Sequence, residues 1–87
     1  MSYQLNTKDV LITQLEEDGV AFNSQTNEYF SLNETSFKIL KGVEQNLSVA
    51  EICSQLQKEY DISPADCTNE VNNTLQLFLE KKLIIKQ

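Results

Sequence analysis

The chain has 87 residues, 40% of them apolar, with 13 acidic against 7 basic side chains, a net charge of −6 and no histidine. That length accommodates one domain around a single core, and with only two Gly and one Pro extended disorder is disfavoured. The acidic balance argues against nucleic-acid binding, which needs a basic face to displace counterions, and favours basic partners instead. No basic stretch leads into an N-terminal apolar run, and no segment approaches the ~20 apolar residues needed to cross a bilayer. The sequence therefore reads as cytoplasmic and without a membrane partner.

Residues 1 to 8 are polar and aperiodic and read as a loose N-terminal arm. Val10 to Leu15 is rich in β-formers, and Gly19 to Asn23 alternates Val20 and Phe22 against Ala21. Between them the run Glu16-Glu17-Asp18-Gly19 ends in an Asp-Gly pair, which marks a hairpin. A polar loop from Ser24 to Asn27 precedes Glu28-Tyr29-Phe30-Ser31-Leu32. That segment has strand composition, with Phe30 and Leu32 on one face and Tyr29 and Ser31 on the other. The first third is thus a three-stranded antiparallel meander.

Asn33 is placed to cap a first helix from about Glu34 to Lys41, burying Phe37 and Leu40 and closed by Gly42. Ser48 and Glu51 form a capping box for a second helix from Val49 to about Tyr60. Its Val49, Ile52, Cys53, Leu56 and Tyr60 follow i, i+3, i+4 spacing. Ser63-Pro64 opens a third helix, running to about Lys82. Leu83 to Ile85 is a short apolar tail able to pack as a terminal strand. The fold class is α+β, a three-stranded antiparallel sheet followed by three helices.

Nothing in the sequence carries catalytic chemistry. Absence of histidine removes the usual general base and most zinc sites, and two glycines cannot build a phosphate-binding loop. Cys53 and Cys67 lie on helical apolar positions and read as two buried free thiols. The expectation is a protein that is not an enzyme and holds no metal or cofactor.

Two elements point to a binding surface instead. On the third helix, at 100° per residue, Cys67, Leu75, Phe78 and Lys82 fall within about 40° of Val71 and define the core stripe. Leu77 lies roughly 120° away, beside Glu70, Thr74 and Lys81, and Leu79 about 80° off on the other side. The helix is apolar over a wider arc than one sheet covers, so Leu77 and Leu79 are either buried by neighbours or line a groove. The third strand is the edge of the meander, short and without Lys or Pro, and such an edge accepts an extended peptide by strand addition. The same edge is open to cover by the N-terminal arm or to self-association.

The run Val20-Ala21-Phe22-Asn23, then Thr26-Asn27-Glu28-Tyr29-Phe30-Ser31-Leu32-Asn33-Glu34-Thr35, resembles the PqqD-like family. The likeness continues in Ser48-Val49-Ala50-Glu51-Ile52, in Leu56 and Tyr60, and in Val71 to Leu79 followed by Lys82-Leu83-Ile84. It covers about Val10 to Ile85. The resemblance implies a winged helix-turn-helix acting as a RiPP recognition element. Such a module binds the leader of a ribosomally made precursor peptide and delivers it to a modifying enzyme or leader peptidase. It further implies that Glu28, Tyr29, Phe30, Ser31 and Leu32 form the pairing edge, facing Val71, Thr74, Leu75, Phe78 and Lys82. The Tyr29-Phe30 pair and the acidic, stand-alone length are most similar to the leader-binding proteins of lasso-peptide clusters. Members serving quinone cofactor biosynthesis carry more prolines in the strand region, where this chain has none. Ser36 stands where many members have Gly, and Glu70 where many have Asp. Competing readings are a peptide chaperone of the quinone pathway, a subunit dimerising through its edge strand, and a winged-helix DNA-binding regulator. The last would have only Lys81 and Lys82 on its recognition helix, against Asp66, Glu70 and Glu80.

Overall fold

Residues 3–86 are described by a computed structural model of the chain. In order the elements are β1 (Tyr3–Leu5), β2 (Val10–Leu15), β3 (Asp18–Asn23), β4 (Glu28–Leu32), α1 (Glu34–Glu44), α2 (Val49–Glu59), α3 (Pro64–Glu80) and β5 (Ile84–Lys86). Strands β2, β3 and β4 form the expected antiparallel meander, and the three helices follow it. β1 and β5 form a second, two-stranded antiparallel sheet, with Leu5 opposite Ile84.

That small sheet corrects the reading of residues 1 to 8 as a loose arm (Met1 and Ser2 lie outside the described residues). Three-residue strands are too short to show a period, and their partner is some eighty positions away. Leu5 and Ile84 are both buried, and Asn6 donates its backbone N–H to Leu83 O at 3.0 Å and its side-chain amide to Lys82 O at 3.0 Å.

The β2–β3 turn also differs from expectation. Leu15 pairs with Asp18, so the connection is Glu16-Glu17, and Glu16 takes a left-handed φ of 58°. Gly19 is not in the turn. It lies in β3 beneath Phe37, where an added Cβ would stand 2.3 Å from the ring's Cδ1. Successive residues of a strand face opposite sides, so Gly19, Ala21 and Asn23 form the face toward the helices. All three are buried. Their small side chains let α1 approach the sheet closely, with Phe37 filling the space over Gly19.

Asn23 is buried but satisfied. Its Oδ1 accepts from the N–H of Gln25 at 2.9 Å and of Thr26 at 3.3 Å, and its amide reaches Lys82 O at 3.5 Å. It ties the β3–β4 loop to the turn after α3.

Each helix starts where the sequence places it. Asn33, Ser48 and Ser63 accept from the N–H of Ser36, Glu51 and Asp66, and Ser48 with Glu51 completes a capping box. The ends differ. Gly42 does not close α1 but lies inside it, where a Cβ would meet Ile52 Cγ1 at 2.8 Å, so it sets the distance between α1 and α2. The helix closes at Asn46, whose φ is 63°, with N–H bonds from Asn46 to Val43 O and from Leu47 to Gly42 O. This is a Schellman turn with Asn in the position usually held by Gly.

Cys53 and Cys67 are buried, free thiols between α2 and α3, as expected. Cys67 Sγ donates to Cys53 O at 3.7 Å, and burial first, then the neighbouring Cys53, pushes the Cys67 thiol up from its ordinary value.

Gly19→Ala is expected to destabilise the fold by about 1–3 kcal/mol through overpacking against Phe37. In a calorimetric melt that is a lower Tm by roughly 4–8 °C per kcal/mol; an unchanged Tm would show that the ring yields freely. A second expectation concerns pH. The Ser48 N–H, accepted by the Glu51 carboxylate, holds that carboxyl below its ordinary 4.5. A depressed folded value contributes stability that is complete above the unfolded pKa and lost as pH falls through the folded one. The stability gap between wild type and Glu51→Gln, read from urea midpoints, should therefore be constant at neutral pH and change only as pH drops below 4.5.

Candidate functional site

The ladder register decides which backbone groups of β4 are free. Ser24 N–H bonds Asp9 O at 2.8 Å, so the even-numbered residues of β3 bond toward β2. Alternation then turns Gly19, Ala21 and Asn23 toward β4, bonding Leu32, Phe30 and Glu28. Tyr29 and Ser31 are left with their N–H and C=O groups pointing away from the sheet. Among the described residues no strand pairs with that edge.

Beside the free edge runs a groove of about 260 Å³, lined by Tyr29, Phe30, Ser31, Leu32, Ser36, Leu77, Phe78, Lys81 and Leu83. Leu32, Phe78 and Leu83 are buried and form its floor, while Tyr29 is 72% and Leu77 50% exposed at its rim. Lys81 Nζ stands 5.8 Å from the Phe30 ring centre, an exposed cation–π contact worth about 0.5–1 kcal/mol. The groove is thus an apolar trough with hydrogen-bonding backbone along one lip and a single cation over it.

The residues picked from sequence divide in this geometry. Tyr29, Phe30, Ser31, Leu32 and Phe78 line the groove, and Glu28 lies at the end of its edge strand. Val71 and Leu75 are fully buried in the core, behind the groove rather than in it, and Thr74 is half-buried. Lys82 does not belong to α3. Lys81 is the C-cap, and Lys82 takes a φ of 60° with its N–H on Leu79 O while Leu83 N–H bonds Phe78 O. A helical wheel extended past this second Schellman turn assigned Lys82 to a face it does not occupy. The sequence pattern leaves Leu77 open between core and groove and does not single out Lys81, Leu83 or Ser36. The wide apolar arc of α3 was the available signal for Leu77, and the structure puts Leu77 in the groove and Leu79 half-buried against the core.

On another side of the molecule a polar cluster links α1 to the end of α2. Lys38 donates to Glu59, to Glu34 at 3.5 Å and to the Tyr60 hydroxyl at 3.0 Å, and that hydroxyl bonds Glu34. The Tyr60 hydroxyl, then Glu17, hold the Glu34 carboxyl below its ordinary value, whereas the bond and charge of Glu34 raise that of Glu17. These are surface contacts that orient helices and form no part of the groove.

No curated protein matches the sequence. The sequence profile of the family described as Coenzyme PQQ synthesis protein D (PqqD) matches residues 11–84. The chain belongs to the PqqD family. Two solved structures share its fold at 19% identity. "TbiB1 in Complex with the TbiA(beta) Leader Peptide" superposes with a TM-score of 0.90, covering 97% of this chain and 96% of that one. "Lasso peptide synthetase B1 complexed with the leader peptide" does so at 0.88, covering 99% and 100%. In this PqqD-family chain the matched segment runs from β2 into β5, so it includes every residue of the groove.

Floor and rim of the groove should separate in stability measurements. Phe78, 2% exposed, should lose about 3–5 kcal/mol on change to Ala. Leu77→Ala, at the rim, should stay within about 0.5 kcal/mol of wild type. Chemical denaturation of the two variants checks this; comparable losses would place Leu77 in the core.

Proposed function

We propose that this PqqD-family protein binds the leader segment of a ribosomally synthesised precursor peptide and presents it, in the cytoplasm, to the peptidase or modifying enzyme that acts on it. The observation that carries this reading is the juxtaposition of a free β4 edge with an apolar groove along α3. An extended peptide added to β4 would exchange main-chain bonds with Tyr29 and Ser31, and its alternate side chains would enter the groove. Leu77, Phe78 and Lys81 would contact them, with Thr74 continuing the wall one turn earlier. Val71 and Leu75 would support that wall from the core. Both proteins of the same fold were solved in complex with a leader peptide, which supports the reading.

Under the same proposal the three helices and the β3–β4 hairpin constitute a winged helix-turn-helix used for peptide rather than DNA. The net charge of −6 and the carboxylates Asp66, Glu70 and Glu80 on α3 support that choice. The protein would act by binding alone, with catalysis left to the partner enzyme.

Fluorescence anisotropy with a labelled leader peptide encoded by a neighbouring gene tests the reading. Saturable binding is expected. Ser31→Pro removes an N–H that faces away from β3, so the fold should persist by circular dichroism. Peptide affinity should fall by about 1 kcal/mol, roughly fivefold. Salt-sensitive DNA binding without peptide binding would overturn the proposal, and unchanged affinity in Ser31→Pro would move the site off the β4 edge.

A further inference from the structure

A second concavity lies further along the α3 wall of the groove, toward the start of that helix. It has a volume of about 230 Å³ and is lined by Thr35, Leu56, Tyr60, Ile62, Cys67 and Glu70. Leu56 and Cys67 are buried, Thr35, Tyr60 and Ile62 half-buried, and Glu70 exposed. The walls are thus mostly apolar with one carboxylate at the mouth, and none of the ion pairs among the described residues involves Glu70. Glu70, Thr74, Leu77 and Lys81 follow at helical three- and four-residue steps, so they share one face of α3 up to its cap. Across from them, Ser36 of the groove and Thr35 of the pocket are neighbours in the first turn of α1. The pocket therefore continues the groove.

We infer that this pocket takes a lysine or arginine side chain of the leader peptide, about three residues N-terminal to the segment paired with β4. The inference rests on the peptide-binding reading and extends its site. Direction comes from the sheet. β2, β3 and β4 pair antiparallel, and a strand added to β4 in that sense, the more stable of the two, runs with its N-terminus toward Leu32 and α1. Its upstream residues then pass between Thr35 and Thr74 and reach the pocket. Two helical turns, about 10 Å, separate Leu77 from Glu70, a span that about three extended residues cover. The side chain follows from the lining. The stem of a lysine or arginine lies along apolar walls while its charge stays at the wet mouth, where Glu70 meets it. Charge also sets the orientation. From Glu59 to Glu80 the chain carries Glu59, Asp61, Asp66, Glu70 and Glu80 and no Lys or Arg, whereas Lys81 and Lys82 stand at the far end. A peptide that is basic on its N-terminal side complements that pattern in this one orientation.

The test pairs Glu70→Lys with changes in the leader. Glu70 is exposed, so the fold is retained, and Glu16→Lys makes the same change of charge on the β2–β3 turn, away from α3. The probes are the labelled leader peptide encoded by a neighbouring gene, the same peptide cut back to its β4-paired segment, and the full peptide with its upstream Lys or Arg changed to Ala. By fluorescence anisotropy, Glu70→Lys should weaken the full leader roughly fivefold, and Glu16→Lys should stay within about twofold of wild type. Wild type should lose at least as much affinity for the shortened and the Ala-substituted peptides, and for these two Glu70→Lys should make no further difference. Equal losses in Glu70→Lys and Glu16→Lys would reduce the effect to general charge attraction and overturn the pocket. Full affinity for the shortened peptide, or a leader with no Lys or Arg upstream of its paired segment, overturns it as well and leaves the peptide reading intact. Failure of the wild type to bind any leader overturns the peptide reading, and with it this inference.

Discussion

The contact between Phe37 and Gly19 governs where everything else lies. A strand face of Gly19, Ala21 and Asn23 has almost no side-chain height, so α1 seats directly on β3 with the Phe37 ring filling the gap. The position of α1 in turn sets that of α2, because Gly42 admits Ile52 against the helix backbone. Close packing of this kind leaves little freedom, since interiors at crystal-like density transmit any change in volume to their neighbours. The helices are thereby confined to one face of the sheet, and the other leaves Leu11, Leu15 and Tyr29 exposed.

With α1 held over β3, the distance between β4 and α3 is bridged only by side chains. Phe78 and Leu83 fill its depth, and Leu77 and Lys81 stand at its rim. The Schellman turn at Lys82 finishes the arrangement. It sends the chain back as β5, aims Leu83 into the groove floor, and offers the Lys82 carbonyl to the side chains of Asn6 and Asn23. One backbone carbonyl so links the N-terminal segment, the β3–β4 loop and the end of α3. The edge strand and the groove are therefore not separate features but two products of one packing choice.

A chain this short retains only a few kcal/mol of net stability, and a ligand that completes the sheet adds to it by mass action. A free edge that can accept an extended strand also invites unwanted strand pairing. Short β4 and the carboxylates along the sheet limit that risk.

Much of the organisation was legible in the sequence. Cap residues at Asn33, Ser48 and Ser63 acted through their immediate neighbours, so the helix starts were readable locally, as was the alternation that puts Phe30 and Leu32 opposite Tyr29 and Ser31. The stripe of Cys67, Val71, Leu75 and Phe78 followed from helical geometry alone. Motif order and spacing along most of the chain pointed to the family. Tertiary structure decided the rest. Gly19 and Gly42 read as punctuation, because a missing side chain looks the same in a turn and under a packed ring. Three-residue strands pairing across the length of the chain have no local signature. Whether Leu77 or Val71 faces the groove, and whether Lys81 or Lys82 stands over it, depended on where α3 stops and how far β4 lies from it. Those are distances between elements, and periodicity within one element cannot contain them.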